Sequence, residues 1–507
     1  MSRITCYDGV NCIGGNKILL EDGDAKLWLD FGLNFGEQGL YYEEFLQPKS
    51  IMGVYEPVQL GLLPLFPDLY RRDLVSAVAD PWAGKEVRDI GSVDGILISH
   101  AHVDHIGCLH YIREDIPLHC SAMTLAIMKA FEDTGTGSSD HYCYVEPKEC
   151  SDTGELKSCR KSPSVTRPFR LIGESLSDGF LDFWGGTPGT KQHNATPVET
   201  ASSCGGLEIR RYPVDHSLYG ASAWAVNTSK GWVVYSGDIR CHGGQAGRTW
   251  EFAQKVSELR PVALIIEGTR IDSQSTSTED QVKQRALEEV KRAKGLVVAD
   301  FGARNVERLI SFLEIAKETG RKLLLLMKDA YLLDAMSLID PHVPSPSDDA
   351  IRVYSEYAGT TYLWQRGIMA KYTVVRPTDI AADQDQFICC FSFFDANELA
   401  YIKPAAGSIW VYSSCEAFNE EMRIDSDRLD NWLKLYDVPL LGDPRRDEKN
   451  PFHVSGHACQ SDLLKLIDII SPEMVIPVHT EHADLYTSLL KGKSEVTLPA
   501  RGMPIDL

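Results

Sequence analysis

Apolar residues in the first third of the chain fall into short runs that predict β-strands. The runs 16–21 ("NKILLE") and 25–30 ("AKLWLD") flank Asp22-Gly23, a dipeptide typical of hairpin turns. Three further predicted strands end in a histidine or an aspartate: "DGILISH" (94–100), "LEIRRYPVDHS" (207–217) and "GWVVYSGD" (231–238). Because strand ends place loop side chains together at one rim of a sheet, we expect these polar residues to be neighbours.

The pattern changes from "VALIIEGT" (262–269) onward, where strands alternate with helices. The stretch 295–326 predicts a strand, a helix that ends at Gly320, and a second strand. One face of this helix is apolar: Val306, Leu309, Ile310, Leu313 and Ala316. Such alternation is typical of a parallel sheet in a second α/β domain. "MVIPVHTE" (474–481) again ends a strand in a histidine, so we expect the chain to return to the first domain.

We therefore predict an α/β protein in which one domain interrupts another. Residues 1–268 form the first part of the outer domain, with a loop-rich insertion at about 130–200. Residues 269–445 form the inserted domain, and residues 446–507 return to the outer one. The length of 507 residues favours this division, because single cores rarely grow beyond about 250–300 residues.

Composition limits the partners and the compartment. The formal charge of 51 − 72 = −21 argues against nonspecific binding of polyanions, so any cationic groove has to be local. The 13 scattered cysteines fit reduced thiols. No apolar run approaches the roughly 18 residues of a membrane span, and "MSRITCYDGVNC" lacks a signal-peptide pattern. We expect a cytoplasmic protein that does not bind membranes.

The densest chemical signal is "HAHVDH" (100–105), directly after a buried strand. Alternation along an extended segment puts His100 and His102 on one side, while Asp104 and His105 lie where a helix begins. Imidazole and carboxylate ligands together suit zinc or manganese. Together with the histidines and aspartates at the other predicted strand ends, the chain offers five or more such ligands. This number exceeds one tetrahedral site and favours two metal ions bridged by a carboxylate.

The motif H-x-H-x-D-H after a strand resembles that of the metallo-β-lactamase superfamily. Its other motifs are matched in order by "LWLDFG" with Asp30, "PVDHSLYGASAWAV" with His216 and "VVYSGDIR" with Asp238. Motifs A, B and C of the β-CASP branch resemble "IIEGT", "SGHA" and "PVHTE", which place Glu267, His457 and His479. Within this branch the chain is most similar to ribonuclease J-type nucleases, without their C-terminal domain.

This resemblance implies a fold and a set of roles. The fold is a metallo-β-lactamase αββα sandwich with an inserted β-CASP α/β domain. Asp238 would bridge two metal ions, zinc being preferred and manganese the alternative, that are held by His100, His102 and His216 and by Asp104, His105 and His479. Asp30 would orient ligand histidines. His457 would protonate the leaving 3′-oxygen, with Glu267 orienting it, and Asp104 would be needed for activity.

The resemblance also implies a substrate. The segment "HVSGH" (453–457) would form a phosphate pocket, with His453, Val454, Ser455, Gly456 and His457 as contacts. Arg304 and Arg308 on the predicted helix either grip phosphates or form a solvated face. The expected activity is 5′→3′ exoribonuclease action on single-stranded RNA with a 5′-monophosphate, with endonuclease activity as an addition. A homodimer or homotetramer is the expected assembly.

Other functions stay open at this point. A small-molecule hydrolase of esters or phosphodiesters would suit the acidic charge, and a DNA exonuclease would use the same centre. A catalytically silent scaffold would have lost ligand residues, which this sequence retains. Cys143, Cys150 and Cys159 form a loose cluster near His141 whose spacing matches no structural zinc motif. The role of this cluster, like that of the 130–200 insertion, is not predicted.

Overall fold

The computed structural model describes residues 1–43, 45–135, 141–159, 162–186, 193–194, 196–274, 277–302, 304–414, 420–443, 445 and 450–507. Up to residue 268 the strands are β1 (Ser2–Asp8), β2 (Lys17–Asp22), β3 (Ala25–Phe31), β4 (Gly95–Leu97), β5 (Leu118–Cys120), β6 (Tyr144–Val145), β7 (Lys148–Cys150), β8 (Leu156–Ser158), β9 (Ser164–Thr166), β10 (Phe169–Ile172), β11 (His193–Asn194), β12 (Glu199–Ala201), β13 (Ser203–Cys204), β14 (Leu207–Pro213), β15 (Ser222–Thr228), β16 (Gly231–Tyr235) and β17 (Ala263–Glu267). The helices of this part are α1 (Phe35–Gly39), α2 (Tyr55–Gln59), α3 (Val103–Ile106), α4 (Ala122–Thr134), α5 (Asp178–Gly185) and α6 (Ala246–Ser257).

The middle of the chain alternates strands and helices. Its strands are β18 (Val297–Asp300), β19 (Lys322–Leu326), β20 (Ile351–Tyr354), β21 (Val374–Val375), β22 (Phe387–Cys389), β23 (Ile409–Tyr412) and β24 (Leu440–Leu441). Its helices are α7 (Glu279–Arg292), α8 (Val306–Thr319), α9 (Met327–Ser337), α10 (Leu363–Lys371), α11 (Pro377–Ala382), α12 (Leu399–Ile402) and α13 (Glu420–Leu435). The last part contains α14 (Gln460–Ile470), β25 (Met474–Val478), α15 (Ala483–Leu489), β26 (Glu495–Val496) and β27 (Pro504–Asp506).

Two mixed sheets pack face to face. One has the order β12-β10-β5-β4-β3-β2-β1-β27 and the other β13-β14-β15-β16-β17-β25-β26. An apolar core between them joins Leu27 and Leu97 of the first sheet to Trp224 and Ile265 of the second. Helices cover the outer faces, with α4 packed in the core beyond the first sheet and α6 and α14 beyond the second. The predicted αββα sandwich is confirmed.

The end of the chain completes both sheets. β27 pairs antiparallel with β1, and β25 lies parallel to β17, with Glu267 opposite Val478. The predicted hairpin is present as well, because β2 and β3 pair antiparallel across Asp22 and Ala25. The rim at which β4, β16, β17 and β25 end is therefore shared by segments far apart in sequence.

The inserted sheet has the order β21-β20-β19-β22-β18-β23-β24, and all its pairings are parallel. Its leading helix α8 begins at Asn305, whose side chain accepts a hydrogen bond from the Arg308 amide, and ends at Gly320 with φ +72°. The predicted apolar face packs as expected at Leu309 and Leu313, whereas Ile310 is only partly buried. The predicted parallel sheet is confirmed.

Buried ion pairs connect the inserted helices to the outer sandwich. Arg240, two residues after Asp238, pairs with Asp215 at 3.1 Å and with Glu279 of α7 at 3.3 Å. It also pairs with Glu307 of α8. The Arg240 side chain is fully buried, so this ionic cluster is shielded from solvent. The loop that carries Asp238 is thereby fixed against the inserted domain.

Two buried aspartates lie at the carboxyl ends of inserted strands. Asp300 ends β18 and is 4% exposed, and Asp329 follows β19 and is 5% exposed. Burial raises the pKa of both carboxyls to about 7, with a further upward contribution from Asp395. The Trp410 indole, which donates to Asp300, and the neighbouring Lys328 charge beside Asp329 act in the opposite direction.

We expect the free energy of unfolding to fall as the pH rises from about 4 to about 7. The native protein retains protons on these carboxyls that the unfolded chain has released. The resulting stabilisation is complete at pH values below the pKa of the carboxyls in the unfolded chain, and it is lost as the pH rises through their pKa in the folded protein. Asp329→Asn should reduce this loss of stability by about 2–3 kcal/mol, measured by urea unfolding at pH 5 and 7.5. Asp349→Asn, at an exposed site, should leave it unchanged. Equal pH dependence in Asp329→Asn and the parent protein would contradict this assignment.

No helix in the described part of the chain combines the length and the apolar character needed to cross a bilayer.

Candidate metal centre

Histidines and carboxylates from five strand ends and one loop converge at the shared rim. Their ligand atoms form three overlapping groups, each within 4.8 Å: His100, His102, His216 and Asp238; Asp104, His105, Asp238 and His479; and Asp238, Glu267, His457 and His479. Asp238 belongs to all three groups. The structure thus brings together every residue that the sequence predicted as a metal ligand, and it places His457 and Glu267 beside them.

Glycine allows the turn that carries Asp104 to pack tightly. The amide of Gly15 donates to the Asp104 carbonyl at 2.9 Å. A Cβ on Gly32, just after β3, would lie 1.6 Å from that carbonyl oxygen. The residues that flank the hairpin β2–β3 therefore pack against α3 at a distance that only glycine permits.

Three histidine rings of the cluster are oriented by partners outside it. His105 Nδ1 lies 2.7 Å from Asp30, His216 Nδ1 lies 2.7 Å from the Gly456 carbonyl, and His479 Nδ1 lies 2.8 Å from the Thr269 hydroxyl. Their Nε2 atoms face the cluster, with His479 Nε2 at 3.2 Å from Asp104 Oδ2. Such partners fix the tautomer in which the other ring nitrogen is a ligand.

Asp30, for which the sequence resemblance implies an orienting role, contacts His105 Nδ1. It accepts hydrogen bonds from the Ser99 amide, the Ser99 hydroxyl and the Tyr235 hydroxyl, each at 2.7 Å, in addition to its contact with His105. Its φ is +57°, and that of His479 is +53°. Left-handed backbone at two non-glycine residues of one site is held by these surrounding contacts.

The protonation of the cluster suits a metal ion. Burial lowers the pKa of His100 and His216 well below the ordinary value and that of His102 to about 4, with neighbouring histidines acting in the same direction on His100 and His216. Their imidazoles are therefore neutral donors at physiological pH. Asp238 Oδ1 is buried without a hydrogen-bond partner. An unpartnered carboxylate oxygen among neutral imidazoles is the donor set of a divalent transition metal.

We expect zinc or manganese to raise the thermal unfolding midpoint of protein prepared with a chelator. Binding to the native state alone contributes about 2.7 kcal/mol at a free ion concentration of 100 Kd. His102→Ala should reduce this gain strongly, whereas His342→Ala, at an exposed site, should retain it. A metal-induced shift that is the same in both variants would place the bound ion elsewhere.

His457 and Glu267 form a pair at the edge of the cluster. His457 Nδ1 lies 2.9 Å from Glu267 Oε2, while Glu267 Oε1 accepts from the Ile239 amide at 2.7 Å. Burial lowers the pKa of His457, but the attraction of Glu267 and Asp238 outweighs it and raises that pKa to about 9. Glu267 is thus fixed by the backbone and holds the imidazole with its Nδ1 proton inward.

The segment 453–456 lies between this pair and the inserted domain. His453 is 3.4 Å from the Ser413 carbonyl, and burial lowers its pKa to about 4. The Ser455 hydroxyl accepts from the His457 amide at 3.2 Å. A Cβ on Gly456 would lie 2.7 Å from the Ser217 hydroxyl, so the backbone here passes close to the loop that carries His216. Val454 is buried.

The two arginines considered for phosphate contact differ in position. Arg304 is partly exposed, donates to the Ala101 carbonyl at 3.3 Å and lies over the Phe131 ring, next to the His102 loop. Arg308 is fully buried. Its guanidinium binds Glu279 and donates to the carbonyls of Ser413 and Phe452 at 2.9 and 2.7 Å. In this arrangement Arg308 holds chain segments together and offers no free donor face to a substrate.

Several orienting residues escaped the sequence analysis. Ser99, Tyr235 and Thr269 hold ligand residues or Asp30 through hydroxyl groups. Each lies within two or three residues of a predicted strand end, and this position could have indicated that the residue lies near the site. The chemistry of a hydroxyl is common in such positions, however, and only the three-dimensional contact distinguishes these groups from solvated ones.

Two regions of the chain match models of known families. Residues 66–158 match a beta-lactamase superfamily domain, and residues 443–496 match the RNA specificity domain of Zn-dependent metallo-hydrolases. The first contains the 100–105 motif, and the second contains His457 and His479. These matches, with the ligand cluster, support the use of metal by this chain.

Sequence relatives extend over nearly the whole chain. Ribonuclease J of Helicobacter pylori is 20% identical over 95% of this chain and 56% of its own length. Ribonuclease J of Mycoplasma pneumoniae is 24% identical over 96% and 69%, and that of Mycolicibacterium smegmatis is 21% identical over 100% and 74%. The chain thus spans little more than half the length of the Helicobacter relative. The resemblance to this superfamily and to ribonuclease J is confirmed.

A solved structure shares the fold. The crystal structure of a protein of unknown function from Enterococcus faecalis V583 superimposes with a TM-score of 0.68, at 21% identity, and covers all of both chains. At this identity the likeness establishes the arrangement of sheets and helices.

Proposed function

We propose that this chain, which carries a beta-lactamase superfamily domain and resembles ribonuclease J, hydrolyses phosphodiester bonds of RNA. The observation that carries the proposal is the convergence of the metal cluster with the His457–Glu267 pair at one rim. A cluster of this kind without an adjacent cationic acid would suit any hydrolase. The pair adds a proton donor for an alkoxide leaving group, which phosphodiester cleavage requires.

Two ions, zinc or manganese, would be held by the groups around His100 and Asp104, with Asp238 shared between them. Divalent ions at such a centre supply a hydroxide at neutral pH and positive charge opposite a phosphate oxygen. Asp30, Thr269 and the Gly456 carbonyl keep the ligand rings in place for this purpose. We assign all seven ligands, including His102, His105, His216 and His479, on this basis.

His457 acts at the leaving group. Its raised pKa of about 9 keeps the ring cationic at neutral pH. Because Glu267 binds Nδ1, the proton available for transfer is the one on Nε2. We place the leaving 3′-oxygen of the substrate opposite this atom, with Glu267 as a positioning residue.

The phosphate next to the cleavage site would be held by the turn 453–457. Its neutral His453, the Ser455 hydroxyl and the backbone of Val454 and Gly456 offer polar contacts. Arg304, at the opposite loop beside His102, would add a cation. If this pocket closes one end of the substrate-binding groove, it would accept a terminal 5′-monophosphate and favour 5′→3′ removal of nucleotides. Internal cleavage would then be a secondary activity.

Substrate preference tests the proposal. Purified protein with zinc or manganese would be incubated with 5′-monophosphate, 5′-hydroxyl and circular forms of the same RNA and DNA, and products would be separated by size. We expect mononucleotides from 5′-monophosphate RNA and slow or no cleavage of the other substrates. Release from DNA alone would make the chain a DNA exonuclease. Turnover of small esters without cleavage of any strand would refute a nuclease function.

The organisation of the whole protein belongs to the same proposal. We place the domain limits at 1–268, 269–445 and 446–507, which accords with the two facing sheets and the separate parallel sheet. The position 446 itself lies outside the described residues. A cytoplasmic location and a homodimer or homotetramer stay predictions.

A further inference from the structure

A cavity lies in the inserted domain, apart from the metal centre. Its volume is about 370 Å³, within the range of small-molecule sites. Residues after β18, β19, β22 and β23, together with the first half of α13, form its wall. None of the residues in the three metal-binding groups lines it.

The position of this cavity follows from the winding of the sheet. The chain leaves β18 through α8 toward β19 and β20, and it later leaves β22 toward β23 and β24 on the other side of β18. Helices α8 and α9 contribute to one core and α13 to the core on the opposite face. The connections that leave the carboxyl ends of the neighbouring strands β22 and β18 therefore run in opposite directions along the sheet. In doubly wound sheets, ligands bind in the crevice at this point of divergence.

The walls of the cavity are largely apolar and partly aromatic. Leu309 and Leu429, which pack in cores on opposite faces of the sheet, line the cavity together with Phe301, Phe393 and Tyr412. Phe394 is 82% exposed although it is a large aromatic side chain that contributes to the wall. Aromatic rings around a narrow apolar space favour a flat ligand that can stack.

Carboxyl groups form the polar part of the wall. Asp300 and Asp329 are buried, and neither forms an ion pair with a basic side chain in the described part of the chain. Trp410 Nε1 donates to Asp300 Oδ2 at 3.0 Å, and Asp395 Oδ2 accepts from the Ser392 amide and hydroxyl at 2.9 Å. Two carboxyls buried without a cation are costly unless something else uses their hydrogen-bonding capacity.

We propose that this cavity binds guanine, a nucleobase whose exocyclic amino group lies next to a ring N–H. The aromatic and aliphatic walls would hold the ring by stacking, and Asp300 or Asp329 would pair with its amino edge. Above its pKa of about 7, either carboxylate can accept from the amino group of guanine with one oxygen and from the ring N–H with the other. Uracil offers a carboxylate one N–H between two carbonyl oxygens, and adenine and cytosine offer the amino group beside a ring nitrogen that only accepts, so each of these bases lacks the second contact.

The charge of the rim limits the ligand further. Lys328 is exposed and is the only cation among the lining residues that are described. It could meet a single phosphate but gives no track for a long backbone. The same base could come from a free nucleotide or from an unstacked position of a bound RNA, and the two sources differ in the length of chain that they require.

Equilibrium dialysis would test the site with the 5′-monophosphates of guanosine, adenosine, cytidine and uridine, in a chelator so that the metal centre contributes nothing. At pH 8, where both carboxyls are largely ionised, we expect guanosine monophosphate to bind at least about tenfold more tightly than uridine monophosphate. Tetranucleotides of uridine with and without one internal guanosine form the second arm. The same preference in tetranucleotides alone identifies RNA as the source. Equal binding of the uridine compounds, or no binding in either arm, overturns the proposal.

Variants assign the preference to this cavity. Asp329→Asn and Asp300→Asn keep the shape of the side chain and should each remove most of the preference over uridine. Asp334→Asn, on the same helix but outside the cavity, should keep it. Thermal unfolding confirms that each variant is folded. An unchanged preference in both cavity variants would contradict the assignment.

This inference does not depend on the proposed nuclease function. Asp104→Ala, which alters the metal centre alone, should leave nucleotide binding in the cavity unchanged. If the protein binds the nucleotide but cleaves no RNA, the cavity assignment stands and the nuclease proposal fails. If it cleaves RNA but shows no base preference in binding, the nuclease proposal stands and the cavity assignment fails.

Discussion

Replacing Asp238 by asparagine is expected to lower RNA cleavage by about 10³-fold or more. Its carboxylate takes part in all three groups of the cluster, and an amide there could not supply negative charge to the two metal ions that we propose. Loss of a shared ligand removes several kcal/mol of transition-state stabilisation, and each 1.4 kcal/mol corresponds to about tenfold in rate. Initial rates on 5′-monophosphate RNA, with zinc or manganese in excess, measure the effect.

The comparison needs a folded variant and a matched control. Asparagine has the shape of aspartate, so the circular dichroism of Asp238→Asn should match that of the parent protein. The exposed Asp272→Asn, near His482, should keep full activity. The thermal stabilisation by metal should fall together with the rate in Asp238→Asn. A variant that retains activity within tenfold would mean that Asp238 is not the shared ligand.

The second large effect concerns stability, and it follows from Arg308. Its guanidinium contacts Glu279 and two carbonyls without exposure to solvent. Arg308→Ala would leave these acceptors unsatisfied, and breaking a buried ion pair costs about 3–5 kcal/mol. We expect a loss of this size in the free energy of unfolding, measured by urea titration of the metal-free protein.

A graded control separates charge from geometry. Arg308→Lys keeps the charge but not the planar fork, so it should lose part of the stability that Arg308→Ala loses. The exposed Arg285→Ala on α7 should change the free energy of unfolding by less than about 1 kcal/mol. If Arg308→Ala were as mild as Arg285→Ala, the ionic contacts of Arg308 would not stabilise the fold.

Local patterns were sufficient for the first four residues of the candidate metal cluster, for the β2–β3 hairpin and for the strand–helix–strand unit around α8. His100, His102, Asp104 and His105 lie within six residues, so spacing alone indicates a site. His216, Asp238 and His479 end separate strands, and the resemblance to a family was needed to join them. The hairpin and the helix beginning near Val306 followed from turn residues and apolar spacing.

The burial of Arg308 and its ionic contacts could not be predicted from such local patterns. Apolar periodicity identifies the face of α8 that packs on the sheet, but it does not show which charged side chain beyond that face meets a partner. Glu279 is 29 residues away and Ser413 is 105 residues away. The cavity near Asp300 was hidden for a similar reason, because it depends on the crossing order of strands that only the folded sheet reveals.

Arg240 limits how freely the inserted domain can move against the sandwich. Moving the inserted domain away from the sandwich would separate this guanidinium from Glu279 and Glu307, although Arg240 would keep Asp215 and Glu279 would keep Arg308. The lost ion pairs oppose such a hinge motion, so a substrate has to fit the relative placement of the two parts that these contacts fix.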